Sequence, residues 1–295
     1  MKWRGVVEAV AVAETGSFTA AADLLNTTIA NVSRRVSDLE RRLGSKLFVR
    51  STRSVTVNPD SAVYIARCRE ILDLLDEAEN QLSTQLTQLS GTIRITAAVE
   101  FGVRVIAPFV TRFQQEHPDV SIDLDLSNDR YDLVGGQYDL AVRTGEIPDS
   151  TLIARRLGER QLLMAAAPAY LEAFGVPETP ADLRQHNCLC GTSRRWRFLH
   201  KGKAVTQQVQ GRSRCNSGAA ITQMALGGLG IAQLPDFYLA AHLHSKALKR
   251  ILEDYEPAPE GIWIVRPDNR FVPKRVRTFI DALVAEATRG SLNTA

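Results

Sequence analysis

No apolar run in this 295-residue chain approaches the roughly 18 residues of a membrane-spanning helix, so no spanning segment is expected. The opening Met1-Lys2-Trp3-Arg4-Gly5 leads into a segment broken by Glu8 and Glu14, without the apolar core or small-residue cleavage site of a secretory signal. Four cysteines (Cys68, Cys188, Cys190 and Cys215) in so long a chain form no disulfide framework. The expectation is a soluble, cytoplasmic protein. Catalytic signatures are missing as well: there is no Gly-x-Ser-x-Gly elbow, His-Glu-x-x-His pair or phosphate-binding Gly-Lys-Ser/Thr. His117, His186 and His200 are isolated, and His242 and His244 fall two apart, where they would diverge on a helix. Cysteine and histidine spacing supports no zinc site. Catalytic residue, metal and cofactor are therefore all expected to be absent.

What is present is ordinary globular composition, 44% hydrophobic and 23% charged, on a length worth roughly two domains at ~150 residues each. Net charge is +3, and it is unevenly placed. Residues 1–58 hold nine basic side chains against five acidic ones, whereas the rest of the chain nets −1. A basic N-terminal module on a near-neutral body points to a polyanion. A merely solvated basic face has the same charge.

Val6, Val7, Val10, Ala11 and Ala13 recur at helical spacing up to Gly16. Ser17 suits the N-cap of a second helix over Phe18 to Leu25, and Thr28 that of a third over Ile29 to Leu43, stopped by Gly44. Three helices with short turns inside 45 residues predict a helix-turn-helix. Lys46 to Val57 follows as a β-forming hairpin around a polar, basic tip, a wing. Asn58-Pro59 then cap and open a long helix, uninterrupted by Gly or Pro until Gly91. Ile65, Cys68, Leu72, Leu75 and Leu82 mark an apolar seam that wants a partner helix, by self-association or by packing on its own body. Residues 59–90 thus form a linker helix and hinge.

Beyond Gly91 the period changes to alternation at Ile93, Ile95 and Ala97, then Val120, Ile122, Leu124 and Leu126, with a helix over Val103 to Gln115 between them. A short helix at Tyr131 to Gly135 and a strand at Tyr138 to Val142 follow. Leu162 to Ala167 opens a second set, with helices near Pro168 to Phe174 and Ser217 to Leu226. Strands at Gly230 to Gln233 and Ile262 to Val265 precede a final helix from Pro273 to Ala287. Strands alternating with helices predict β-α-β units and parallel sheets, in an α/β body of two lobes.

Three segments now resemble a known pattern. Phe18-Thr19-Ala20-Ala21-Ala22-Asp23-Leu24-Leu25, Val32-Ser33-Arg34-Arg35-Val36-Ser37-Asp38-Leu39-Glu40, and Leu43-Gly44 with Leu47-Phe48 and Arg50 resemble the winged-helix signature of LysR-type transcriptional regulators. The likeness continues in Ala107-Pro108, His117-Pro118, Tyr138-Asp139-Leu140-Ala141, Gly227-Gly228-Leu229-Gly230-Ile231 and Leu234-Pro235, and so spans essentially the whole chain. It implies a winged helix-turn-helix DNA-binding domain (1–58), a linker helix (59–90) and a two-lobed effector domain like the periplasmic binding proteins (91–295). Lobe I would take about 91–160 and 267–295, lobe II about 161–266. The resemblance also implies a dimer through the linker helix that pairs into a tetramer. Ile29-Ala30 stands where the family often has Gln-Pro, which removes an amide able to read an adenine edge.

The third helix is the candidate for the major groove, with Thr28, Ile29, Asn31, Ser33 and Arg34 in its first two turns. Asn31 suits adenine, Arg34 guanine or a phosphate, and Ile29 a thymine methyl. Ser33 suits a phosphate or a local helix bond. Val32, Val36 and Leu39 mark the buried face, and Arg41 and Arg42 a solvated one. In the wing, Arg50, Ser51, Thr52 and Arg53 suit phosphate or narrow minor-groove contact. The expected partner is double-stranded DNA bearing an interrupted palindrome.

By resemblance, a small-molecule effector lies between the lobes. It would meet Val99, Glu100 and Phe101, Ser127, Arg143 and Thr144, Trp196, Asn216 and Ser217, and Pro235. Ser217 begins a helix with Asn216 as its cap, and N–H groups there with Arg143 favour a small carboxylate. Glu100 argues otherwise, since many relatives place a small hydroxyl at that corner. A glutamate suits an amine, with Phe101 or Trp196 supplying a cation-π face. It could equally cap its helix or pair with Arg143. Some members of the family sense oxidants through cysteines, and Arg212 and Arg214 flank Cys215, yet structural thiols are the simpler reading. A two-lobed solute-binding protein, or an enzyme with an accessory basic domain, remains as the alternative.

Overall fold

The computed structural model describes residues 3–50, 55–82, 89–128, 138–145, 147, 152–268 and 272–289. Helix α1 (Val6–Thr15) runs between Gly5 and Gly16, both at positive φ. Gly5 is also a point of close approach, because a Cβ there would sit 2.4 Å from the Arg35 carbonyl oxygen. Helix α2 (Phe18–Leu24) is capped by Ser17, whose hydroxyl accepts from Ala20 N–H. Helix α3 (Ile29–Leu43) is capped by Thr28, which accepts from Asn31 N–H, and it ends at left-handed Gly44. Val32, Val36 and Leu39 are fully buried against α1 and α2, as their spacing requires. Strands β1 (Phe48–Arg50) and β2 (Val55–Val57) pair antiparallel with Phe48 opposite Val57, and they form the wing.

Asn58 caps a 3-10 turn, Pro59–Ser61, that opens into α4 (Ala62–Leu82). The seam expected to seek a partner is largely used at home. Ile65 and Cys68 are buried in the head's own core and Leu72 packs at its edge. Leu75, one turn further along the seam, is exposed, as are Val63, Ile71 and Leu74 beside it.

The body begins with β3 (Gly91–Ala97) and α5 (Val99–Phe101), a π turn at Gly102–Ile106, then α6 (Ala107–Glu116). Strands β4 (Val120–Leu126), β5 (Leu140–Thr144) and β6 (Leu152–Arg160) complete the first pass. After Gln161 the chain enters β7 (Leu162–Ala166) and α7 (Pro168–Phe174). The hairpin β8 (Arg195–His200) and β9 (Lys203–Gln208) follows, then α8 (Gly218–Leu226), β10 (Ala232–Pro235), α9 (Asp236–His244) and β11 (Lys249–Arg250). The chain returns through β12 (Glu260–Pro267) to α10 (Lys274–Thr288).

Lobe I is a five-stranded sheet in the order β4-β3-β5-β12-β6, with β3 parallel to β4 and β5 and with β12 antiparallel to both its neighbours. Phe109, Phe113 and Phe279 meet edge-on or stacked in its core, where α10 closes over the sheet. Lobe II differs from expectation. In its sheet, β10-β7-β11, both outer strands run antiparallel to β7, so β10 and β11, joined through α9, are parallel to each other with β7 inserted between them. Strand β12 belongs to the lobe I sheet from Glu260, so lobe I resumes there and not near residue 267. The expected helix at Tyr131 to Gly135 lies outside the described residues.

Candidate DNA-reading head and effector cleft

The exposed side of α3 begins with Thr28 and Ile29, the latter 48% exposed. Asn31 is tied into its surroundings: Nδ2 donates to Thr27 Oγ1 at 2.9 Å, while Oδ1 accepts from Arg34 Nη2 at 3.1 Å and Arg35 Nε at 3.4 Å. An adenine contact by Asn31 would therefore exchange these bonds. Arg34 is exposed and has no carboxylate partner among the described residues, whereas Arg35 is paired with Glu8 at 3.1 Å. Ser33 is half-buried. Arg50 lies with its guanidinium 4.1 Å over the Phe18 ring, a cation-π contact that steadies the wing's base on α2. Ser51, Thr52 and Arg53 fall outside the described residues. Arg41 pairs with Asp38 on the solvated side.

One buried acid fixes the wing to α3. The Glu40 carboxylate accepts from Leu47 N–H and Lys46 Nζ, each at 2.9 Å. Burial pushes its pKa up, but the hydrogen bonds from Lys46, Leu47 and Phe48 and the Lys46 charge outweigh this and hold it below the usual carboxylate value. Nothing in the sequence pattern separates this glutamate from its solvated neighbours.

Head, linker and body meet at a second cluster of charge. Glu14 on α1 pairs with Arg69 on α4 at 3.1 Å and with Arg94 on β3 at 2.8 Å. Arg94 N–H in turn donates to Asp139, and Arg275 on α10 pairs with Asp73 on α4. Asp139 is pushed upward by burial, against the pull of Arg94, Arg275 and Arg69.

Between the lobes, Asn128 accepts from Val99 N–H at 3.2 Å and donates to the Asn216 carbonyl at 2.9 Å, bridging lobe I to lobe II. Glu100 pairs with Arg104 one turn on, not with Arg143. Arg143 is half-buried at the end of β5, with Nη2 3.4 Å from Thr96 Oγ1, and Thr144 follows it on the strand. Ser127 donates its N–H to Ala97 O. Ser217 itself is the cap of α8, accepting from Ala220 N–H, which corrects the expectation for Asn216. Two aromatic candidates are spent on packing. Phe101 is 3% exposed in the lobe I core and Trp196 is 4% exposed in that of lobe II, so neither presents a cation-π face. Trp196 sits where strand alternation turns its ring inward, and Phe101 where the turn of α5 does the same. Pro235 is likewise buried, at the start of α9.

Sequence reasoning missed four side chains here, Tyr238 and the cluster of Arg160, Arg197 and Glu260. Tyr238 packs so tightly on α8 that a Cβ at Gly218 would meet its ring at 2.4 Å. Burial, then the Glu100 charge across the cleft, pushes its phenol up to about 12. Arg160 and Arg197 both pair with buried Glu260, which joins β6, β8 and β12 where the lobes adjoin. Only the fold brings these together, and no local motif announces them.

Burial pushes the Cys188 thiol up to about 12 and raises that of Cys190, so neither favours the reactive thiolate. Among the described residues no cluster of His, Cys, Asp and Glu could hold a metal, and no helix is long and apolar enough to cross a membrane.

A winged helix-turn-helix head on a long helix, joined to two α/β lobes with a cleft between them, defines an effector-responsive DNA-binding regulator. The chain belongs to the LysR-type transcriptional regulator family. Residues 7–61 match the bacterial regulatory helix-turn-helix protein, lysR family, and residues 87–288 match the LysR substrate binding domain. An uncharacterized HTH-type transcriptional regulator of Haemophilus influenzae is 36% identical over 269 residues, covering 90% of this chain and 93% of the relative. The HTH-type transcriptional activator AaeR of Escherichia coli is 30% identical, with 92% and 89% covered. The full-length structure of the Vibrio cholerae virulence activator AphB is similar at a TM-score of 0.61 and 28% identity, over 95% of this chain and 98% of AphB. These relatives are transcriptional regulators, not enzymes, and this chain binds DNA through its head and an effector through its regulatory domain.

Proposed function

We propose that this cytoplasmic regulator reads an interrupted palindrome as a dimer assembled through α4, two dimers pairing into a tetramer, and that its effector is a small carboxylate. Self-association through α4 is supported by the outward row Val63, Ile71, Leu74 and Leu75, which the head leaves uncovered. Two α3 helices presented by a two-fold axis would enter successive major-groove faces, with Thr28, Ile29, Asn31, Ser33 and Arg34 against the bases and Arg50, Ser51 and Arg53 along the backbone.

The observation that carries the choice of ligand is the pairing of Glu100 with Arg104. With that carboxylate already balanced, an amine would find no uncommitted charge there. Arg143 and the N–H groups of α8 behind Ser217 favour an anion instead. Val99, Thr144, Ser127, Asn216 and Pro235 would complete the walls. Thermal shift across small carboxylates and amines tests this: a ligand at a hundredfold excess over its Kd stabilises by roughly 2.7 kcal/mol. Stabilisation by amines alone, abolished in Glu100→Gln, would reverse the assignment. A footprint without dyad symmetry would overturn the operator geometry. Arg53→Gln should weaken all duplexes and lower the salt slope by about one charge, while Arg34→Gln should relax discrimination at particular bases. Identical behaviour of the two variants would refute that division of roles.

A further inference from the structure

Residues 183–235 contain eight lysines and arginines and no aspartate or glutamate. The structure places most of this charge on the β8-β9 hairpin of lobe II and on the chain that runs beside its open end. In the hairpin, Arg195 and Arg197 alternate with Trp196 and Phe198, which are buried, so the arginines lie on the outward face. Lys201 and Lys203 follow at the hairpin's turn, both exposed, Lys203 lying opposite His200 and so on the other face of the ribbon from the arginines, at the strip's end. At its other end, Val209 N–H bonds to Arg194 O, and Arg214 Nη2 donates to Thr192 O at 3.1 Å. Arg212 and Arg214, two apart in extended chain, are both exposed. The result is a basic strip about 20 Å long, taking six residues at ~3.3 Å each.

Its charge is concentrated and largely uncompensated, whereas the other exposed cations without a carboxylate pair, such as Lys246, Lys274 and Arg289, lie scattered over the body. Elsewhere on the body, exposed Arg104, Arg112, Arg155, Arg156 and Arg250 each pair with a carboxylate. Arg194, Arg195, Lys201, Lys203, Arg212 and Arg214 have no such pair among the described residues, and Arg197 alone on the strip is held by Glu260. On the turn beside β8, Glu253 and Glu256 are engaged by Arg250, which leaves Asp254 as that turn's uncommitted acid. Six like charges held together without counter-charges repel one another and raise the local potential. Such an arrangement is tolerated where an anion arrives to share it.

We infer that this face of lobe II is a second contact surface for double-stranded DNA, lying along the phosphate backbone of duplex beside the sequence that α3 reads. The chemistry fits a phosphate backbone in three respects. The cations are spread along a strip and do not converge on a pocket. Hydroxyls of Thr192, Ser193 and Ser213 are interleaved with the arginines, the mixture that makes sequence-independent phosphate contacts. The exposed ring on the strip, His200, is already stacked on Tyr255, and Trp196 and Phe198 are buried, so no aromatic is presented to a single-stranded base. The head also fixes the chain to a duplex, so the effective concentration of flanking DNA is high and a modest contact suffices.

The test is the salt dependence of binding by the full chain to two duplexes, one limited to the α3 footprint and one extended by two helical turns on each side. Arg194→Gln/Arg195→Gln/Arg212→Gln is compared with the unaltered protein, with melting followed to establish folding. Because each lost phosphate contact removes about 0.9 from the slope of log K against log salt, the triple variant should lose between two and three slope units per protomer on the long duplex. On the short duplex it should lose none. Lys201→Gln/Lys203→Gln, remote from the lobe core, gives a second and smaller loss of the same kind. Equal slopes on the long duplex refute the inference, as does an equal loss on both duplexes. Two further outcomes also overturn it: unchanged DNA slopes with lost binding of a poly-glutamate probe, which assigns the face to an acidic protein, and a fall in oligomeric state that accounts for the whole slope change.

Discussion

Replacing Glu14 by glutamine removes a head carboxylate that pairs with both the linker helix and the body. Arg69 and Arg94, its two partners, are only 14% and 12% exposed, so water can do little to replace it. Burial, followed by the nearby Arg94 charge, pulls the Arg69 pKa down, and Glu14 is the first of the acids that oppose this. Stranding a buried charge by removing its partner costs about 3–5 kcal/mol. Here Asp139 and Asp73 remain close enough to act on Arg69, so roughly half of that, ~2 kcal/mol, is the expected loss. That corresponds to a factor of about 30 in the equilibrium between docked and undocked head. The assay is a double-mutant cycle of Glu14→Gln and Arg94→Gln on the intact chain, read by calorimetry. The head's transition should separate from that of the body in each single variant. The two changes should be non-additive, with a coupling energy of about 1–2 kcal/mol, in the range for residues in direct contact. Additivity within ~0.4 kcal/mol would mean that Glu14 and Arg94 do not sense each other, and the docking of the head on lobe I would be refuted.

Gly5→Ala should destabilise the head by more than ~1 kcal/mol, since it places a Cβ at φ 88 and against the Arg35 carbonyl oxygen, and a drop in helical melting temperature would register it. The body's transition should stay in place. Glu40→Gln should cost about 1–3 kcal/mol at neutral pH through its weakened bonds to Lys46 and Leu47. Because the folded pKa of Glu40 lies below the unfolded value of 4.5, its contribution is complete above about pH 4.5 and fades as pH falls through the folded value. The unaltered and Glu40→Gln proteins should therefore converge in stability in acid, and a constant difference down to pH 2 would contradict the assignment.

Legibility in the sequence followed the range over which each signal acts. Thr28, Ser17, Gly16 and Gly44 mark helix ends through bonds and dihedrals within four residues, so the head is legible almost element by element. The antiparallel pairing in lobe II is not, because the apolar run of β7 and the short β10 reveal strands but never the direction of a neighbour. Trp196 shows the same limit at the cleft. Its neighbourhood suggested a ligand, but whether a strand residue points inward is decided by register, which the adjoining arginines give only in hindsight. Charge was obscured by averaging. A body that nets −1 contains a stretch with eight cations and no acid, and acidic surface elsewhere cancels it in any sum over the whole domain.

One strand links the two halves of the regulator's task. Arg94 lies in the middle of β3, against Glu14 of the head, and β3 runs on through Ala97 to Val99 at the cleft. Ile93, Ile95 and Ala97 on the same strand are fully buried, so it cannot slide without disrupting the lobe I core. With the effector in the proposed cleft, head and effector act on the middle and the C-terminal end of one stiff element, and coupling between them takes the form of lobe I moving as a body against α1 and α4. Linkage then makes a quantitative demand. If an effector changes operator affinity by some factor, operator must change effector affinity by the same factor. Glu14→Gln should shrink both factors together, because it loosens the joint through which either site acts on the other. Titrating effector with and without operator, in both proteins, measures all four affinities. A variant that lost the effect of effector on operator while keeping the reverse effect would violate the cycle, and unchanged coupling in Glu14→Gln would show that the signal does not pass through this junction.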